Sequence, residues 1–167
     1  MIVSVTEDLA IIAKQEHRLR FASFGEDSAW KLGCRLRDMA LARTAPLVID
    51  IRKSGQLLFF CALMGSTPDN ADWARRKSNA VARFHRSSYG LGLELQQKNT
   101  NLAERFGLPL SDFAAHGGSF PVTVVGSGVI GSVAVSGLPQ RADHELVVEA
   151  ICGQLECDYA ELMLSKE

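Results

Sequence analysis

SFPVTVVGSGVIGSVAVSG, residues 119–137, decides the fold class. Two runs of β-branched residues flank Gly126-Ser127-Gly128, and apolar runs joined by so short a glycine-rich link fold back as a β-hairpin. A second such unit lies upstream. PLVIDIR (46–52) and QLLFFCALM (56–64) are rich in β-branched and aromatic residues and are joined by Lys53-Ser54-Gly55. Hairpins make antiparallel neighbours, whereas an all-parallel doubly wound sheet needs a crossover between every pair of strands. A largely antiparallel sheet with helices against it follows.

Helical spacing fills the stretches between the strands. A helix is predicted over Val5–His17, opened by Ser4 and Glu7 at capping-box spacing and turning Leu9, Ile12 and Ala13 to the core. LRFASF (19–24) alternates as a short strand. A second helix begins after Gly25, carries Ala29, Leu32, Leu36, Met39 and Ala40 on one face, and stops ahead of Pro46. From Asp69 one long helix is expected, with Trp73, Lys77, Val81, Phe84, Ser88, Leu91 and Leu95 near a single stripe. Gly90 and Gly92 would loosen its second half at about 1 kcal/mol each. A short helix over Asn101–Phe106 ends at Gly107, a further helical turn follows Ser111, and an amphipathic helix from Asp143 closes the chain with Leu146, Val147, Ala150, Ile151 and Leu155. The order is α, β, α, β, β, α, β, β, α: an α/β chain of α+β type with about five strands.

With 167 residues, 47% of them apolar, the chain fills one core, and a single domain spanning 1–167 is expected. Lys and Arg number 18 against 19 Asp and Glu, so no global field favours nucleic acid or an anionic membrane surface as a partner. Cys34, Cys61, Cys152 and Cys157 form no CxxC pair and read as reduced, mostly buried thiols. No leader-like segment or membrane-spanning apolar run is visible, and the expected address is cytoplasmic.

Three segments carry polar chemistry. In AAHGGSFP (114–121), His116 precedes Gly117 and Gly118, which either let a ligand approach the main chain or simply make the turn into a strand. In VSGLPQRADHE (135–145), a strand ends at Ser136-Gly137 and a helix starts just after Pro139 with Asp143 as a plausible cap. Such a helix start suits a carboxylate or phosphate but is also an ordinary strand-to-helix turn. In WARRKSNAVARFHRSSYG (73–90), Arg75 and Arg86 read as solvent-facing charge. Lys77 differs, because it shares the apolar stripe: it either snorkels from the edge of the core or is held for an acidic ligand or partner. His17 and His144 read as surface residues and His85 as a helix-flank residue. Ser119, His116 and Asp112 lack a G-x-S-x-G elbow, and the consecutive Asp143, His144 and Glu145 point in different directions on a helix, so neither a triad nor a metal site is expected.

PLVIDIR followed by Gly55, WARRKSNAVARFHRSSYGLG, AAHGGSFPV and GVIGSVAVSGLPQRADHELVVEAI together resemble the haem-degrading-domain family, also called HbpS-like or GlcG-like. The resemblance runs from about Leu19 to Leu155 and is strongest to an intracellular branch with no settled activity. It implies a profilin-like α/β/α domain, assembly of the chain with itself into dimers and then larger rings or cages, and haem among the candidate ligands and cofactors. The positions it marks are Trp73, Arg76, Lys77, Asn79, Arg83, Phe84, Ser87, Ser88, His116, Gly117, Gly118, Pro121, Ser136, Gly137 and Pro139. If haem binds, its propionates would suit Arg76 or Lys77 and the helix start after Pro139, with His116 as an axial nitrogen; a smaller carboxylate suits the same donors.

The expected function is a ligand-binding oligomeric protein, taking haem or a small anionic metabolite in a pocket built around Trp73, Arg76, Lys77, Arg83, His116, Gly117, Gly118, Ser136 and Gly137. Two alternatives stand beside it. One is a metabolic enzyme using His116 for acid or base work. The other is an interaction or assembly protein acting through its oligomer surface, with the basic flank at Arg75 and Arg86 docking an acidic partner. Toward oligomerisation the sequence itself offers exposed-looking apolar residues such as Leu138 and Leu162.

Overall fold

A computed structural model describes residues 5–165. Ser4, the expected cap of the first helix, lies outside them. The elements are α1 (Val5–Arg18), β1 (Arg20–Phe21), α2 (Glu26–Ala42), β2 (Val48–Lys53), β3 (Gln56–Ala62), α3 (Pro68–Phe84), α4 (Ser88–Gln97), α5 (Leu102–Phe106), β4 (Ser119–Val124), β5 (Gly128–Ser136), α6 (Gln140–Leu155) and a 3-10 turn at Tyr159–Glu161. The strands form one sheet in the order β1-β4-β5-β2-β3, antiparallel except for the parallel pair β1 and β4. This is the α+β architecture expected from the two hairpins. The first link is the two residues Ser54 and Gly55, both at the positive φ that such a turn requires; the second is the three residues 125–127, with positive φ at Gly126 and at Gly128, the first residue of β5.

The two sheet faces differ chemically. Ile49, Ile51, Phe120, Val122, Val133 and Val135 point to one side and pack with Leu32 and Leu36 of α2 and Leu146, Val147 and Ile151 of α6 in the main core. Alternate residues point to the other side, where Val48 and Ala134 meet Ala71 and Ala74 of α3. Small side chains there bring α3 close to the sheet. Buried Asp50 sits on the same side and is held by Arg52, whose Nε and Nη2 donate to its carboxylate at 2.7 and 2.9 Å.

The long helix expected from Asp69 is two helices. α3 ends where His85 turns left-handed (φ 56°), its N–H donating to Val81 O. Ser87 then caps α4 by accepting from the Gly90 N–H, while its own N–H donates to Glu16 of α1. A serine that caps so well offers the backbone an alternative to continuing the helix. Gly90 and Gly92 both lie inside α4, and a Cβ on Gly92 would lie 2.1 Å from Ala115 O, so this glycine admits the loop before β4.

α1 also differs from its expected register. Ile12 is buried but Ala13 is exposed, and the other buried residues are Asp8 and Gln15. Both polar groups have partners. Asp8 pairs with Arg141, and Gln15 Nε2 donates to Leu162 O at 2.7 Å while Gln15 Oε1 lies 2.8 Å from His144 Nε2. His144, expected at the surface, is therefore enclosed, as is Leu162; both are 1% exposed or less. The His144 ring is enclosed by Tyr89 of α4, Phe120 of β4 and Gln15 of α1, while Leu162, in the segment after α6, packs into the main core. Of the cysteines, all free, only Cys152 is fully buried.

Candidate functional site

Two cavities meet at one pair of rings. His116 packs edge-on against Trp73 with centroids 5.0 Å apart. On one side lies a cavity of about 370 Å³ walled by Leu93, Leu95, Leu102, Leu110 and Phe113 and closed by Arg76. On the other lies a smaller, polar cavity of about 270 Å³ walled by Lys77, Asp143, Ser136, Gly137 and Asn70. Trp73, His116 and Gln140 line both.

α3 supplies the scaffold. Thr67 and Asn70 form a capping box and Pro68 opens the first turn, which fixes the register that places Trp73, Arg76 and Lys77. The loop bearing His116 is then clamped to α3 by its basic face: Arg75 Nη2 donates to Ser111 O at 2.8 Å, Asn79 Nδ2 to Asp112 O at 2.8 Å, and Ala114 N to Arg76 O at 3.1 Å. The expected solvent-facing charge on this helix is thus largely committed. Arg75 also pairs with Asp72 and Asp112, and Arg86 with Glu94 at 2.7 Å.

Arg76 is held more tightly than its neighbours. Its guanidinium carbon sits 4.0 Å over the Trp73 ring, and Nε donates to Asp72 at 2.8 Å. Among the described residues only Leu110 O, at 3.4 Å, takes an Nη proton, so other N–H groups of this planar fork remain for a ligand. His116 is exposed on its outer side. Partial burial, with Lys77 and Arg76 close by, holds its imidazole below the ordinary histidine range, so it is neutral at pH 7 and offers a nitrogen lone pair.

Lys77 does not snorkel. Its side chain is 4% exposed, and Nζ donates to Asp143 Oδ2 and Val135 O, both at 3.1 Å. Asp143, expected as a helix cap, sits inside the first turns of α6 instead. It accepts the Leu138 N–H at 3.0 Å as well as the lysine proton. Burial lowers the lysine and raises the carboxyl, so both groups are shifted toward their neutral forms, against their mutual attraction.

The glycines serve the chain itself. A Cβ on Gly117 would lie 2.0 Å from Gln140 O; one on Gly118, at φ 129°, would lie 2.5 Å from Val135 O and 2.7 Å from Lys77 Nζ. These residues let β4 pass under α6 and against the lysine. Gly137 is equally close to Pro46 O. Ser136 is buried at the floor of the polar cavity. Arg83 stands apart, exposed near Phe84 and lining neither cavity. Ser119 is fully buried, its Oγ without a partner among the described residues, and Asp112 is spent on Arg75, so the two form no relay with His116.

The leucine wall from α4 and α5, Gln140 and the role of Asp143 were not singled out by sequence reading. Only the lysine on an apolar stripe hinted that an acid would be found opposite it.

The model of the haem-degrading HbpS-like proteins matches residues 24–152. The chain belongs to the HbpS-like family. Among its HbpS-like relatives are UPF0303 proteins of Paraburkholderia phymatum, 60% identical over 164 residues (98% of this chain, 99% of the relative), and of Acidobacterium capsulatum, 60% identical over 158 residues (95% and 96%). Among solved structures, the Ybr137w protein superposes with a TM-score of 0.80 at 27% identity, covering 87% of this chain and 86% of that one. HbpS superposes at 0.64 with 20% identity (81% and 92% covered), and a PduOC–haem complex at 0.65 with 17% identity (78% and 92% covered). At such identities the last two establish a shared fold. Among the described residues no helix is long and apolar enough to cross a membrane.

Haem asks a protein for a neutral imidazole, cations for its propionates and an apolar wall. His116, Arg76 and the leucine-lined side of the larger cavity match those requirements in kind.

Proposed function

We propose that this HbpS-like chain is a ligand-binding protein that takes an anionic, partly apolar small molecule between Trp73, Arg76 and His116, with haem among the ligands of that description. The observation that carries this reading is the composition of the 370 Å³ cavity: leucine and phenylalanine on one wall and, at its edge, an arginine stacked on tryptophan with N–H groups to spare. That volume lies in the lower part of the roughly 300–1,000 Å³ range of ligand clefts. Arg76 would hold a carboxylate, and His116 would supply a nitrogen toward haem iron, which when bound would supply metal-centred redox chemistry. The description of the family supports trying haem first.

The test is titration with hemin under reducing conditions, followed by absorption, for wild type, His116→Ala and Arg76→Met, with a parallel thermal-shift screen of small carboxylates and phosphates. A saturable response at one site per chain or per dimer, weakened by either substitution, is expected. No saturable response to hemin or to any anion would remove the reading.

The family resemblance also leads us to propose self-assembly. The surface that supports it is the edge strand β3, where Leu57, Phe60 and the following Met64 are 46, 47 and 97% exposed. Leu162 takes no part, being buried, and Leu138 is half-buried.

A further inference from the structure

The polar cavity behind the Trp73–His116 pair ends on an amine. Lysine is a poor nucleophile while it is an ammonium in water; burial beside a proton acceptor is what makes it reactive. Lys77 has that setting. Its side chain is 4% exposed, an acid stands 3.1 Å from Nζ, and a space of about 270 Å³ lies in front of the pair. The charged and titratable groups facing it are few: Asp143 from α6, Arg76 on its own helix, His116 from the loop before β4, and Asp69 at the rim, where its carboxylate accepts from Trp73 Nε1. Burial and Arg76 work against the ammonium, and Asp143 works for it.

We infer that Lys77 is an imine-forming amine and that the polar cavity admits a small 2-oxo acid. The proton of the ammonium passes to Asp143, leaving a neutral amine and a carboxylic acid. The nitrogen lone pair adds to the keto carbon, and one amine proton moves to the former carbonyl oxygen, forming a carbinolamine. Asp143 returns its proton to the departing hydroxyl, which leaves as water. The product is a protonated iminium on Nζ facing the Asp143 carboxylate, so the pair begins and ends with one positive and one negative charge. His116, neutral and on the cavity wall, can carry the proton to the departing oxygen in the same step. The substrate carboxylate would lie toward the opening turn of α6, whose first residue Gln140 lines the wall and whose first N–H groups have no partner within the helix. This inference lies on the opposite side of the Trp73–His116 pair from the proposed Arg76 ligand cavity and does not depend on haem.

The experiment incubates the full chain with pyruvate and cyanoborohydride near neutral pH and reads intact mass and a peptide map. The expected result is one adduct per chain, heavier by pyruvic acid less one oxygen atom, mapped to Lys77 ahead of the exposed Lys14, Lys31 and Lys98. Lys77→Arg should lose that adduct, and Asp143→Asn should slow its formation by about a hundredfold. Labelling spread over the exposed lysines with none on Lys77 would overturn the inference, and the wild-type map alone decides this if Lys77→Arg does not fold. A negative hemin titration leaves this result unaffected, and a negative labelling result leaves the Arg76 cavity unaffected.

Discussion

His144 makes the stability of this protein depend on pH in a way that can be worked out in advance. The ring is fully enclosed between Tyr89 and Phe120, its Nε2–H donates to Gln15, and Nδ1 has no partner among the described residues. Burial, with a smaller contribution from Arg141, pushes its pKa from 6.5 down to about 3. A base whose folded pKa is depressed contributes stability above its unfolded value and loses it as pH falls toward the folded one. Linkage between those two values gives a loss of roughly 3 kcal/mol on going from pH 8 to about pH 4.5. Asp143 and Glu145 oppose it, because burial raises both and the folded state gains from protonating them. The contribution of His144 therefore has to be read as a difference. His144→Phe keeps the aromatic packing but leaves Gln15 Oε1 without a donor, which costs about 1–3 kcal/mol at pH 8. In urea melts at both pH values the gap between wild type and variant should close by roughly 3 kcal/mol at the lower pH, and the variant should equal or overtake wild type. A gap unchanged between the two pH values would refute the reasoning.

Two further outcomes are expected. Lys77→Met strands a buried carboxylate and should cost about 3–5 kcal/mol, or roughly 6–20 °C in melting temperature; Lys77→Met with Asp143→Leu should recover part of that loss in a double-mutant cycle, and simple additivity would show that the two groups do not interact. Phe60→Glu on the bare face of β3 should lower the solution mass measured by light scattering, and a wild-type mass equal to one chain would remove the assembly proposal.

The site was partly legible in advance for a local reason. Trp73, Arg76 and Lys77 stand out because helical spacing sets them on or beside an apolar stripe, and His116 because two glycines follow it. Lys77 on that stripe left its partner open: snorkelling costs little at a core edge, and only the packing of α6 against α3 puts Asp143 within reach of Nζ. His144 sits between Asp143 and Glu145, a polar context that reads as surface; Tyr89, Phe120 and Gln15, from three other elements, enclose it. The break at His85 was hidden because the apolar stripe runs on in phase through Ser88, Leu91 and Leu95.

Strand pairing within each hairpin, the helical segments other than the α3–α4 break and the antiparallel class were set by the sequence itself, since turn residues and periodicity act over a few positions. The order β1-β4-β5-β2-β3, the joining of the His116 loop to α3 and the enclosure of Lys77 with Asp143 were decided only by tertiary packing. These contacts link residues tens of positions apart, and what selects them is the burial of one whole surface against another, which no local pattern encodes.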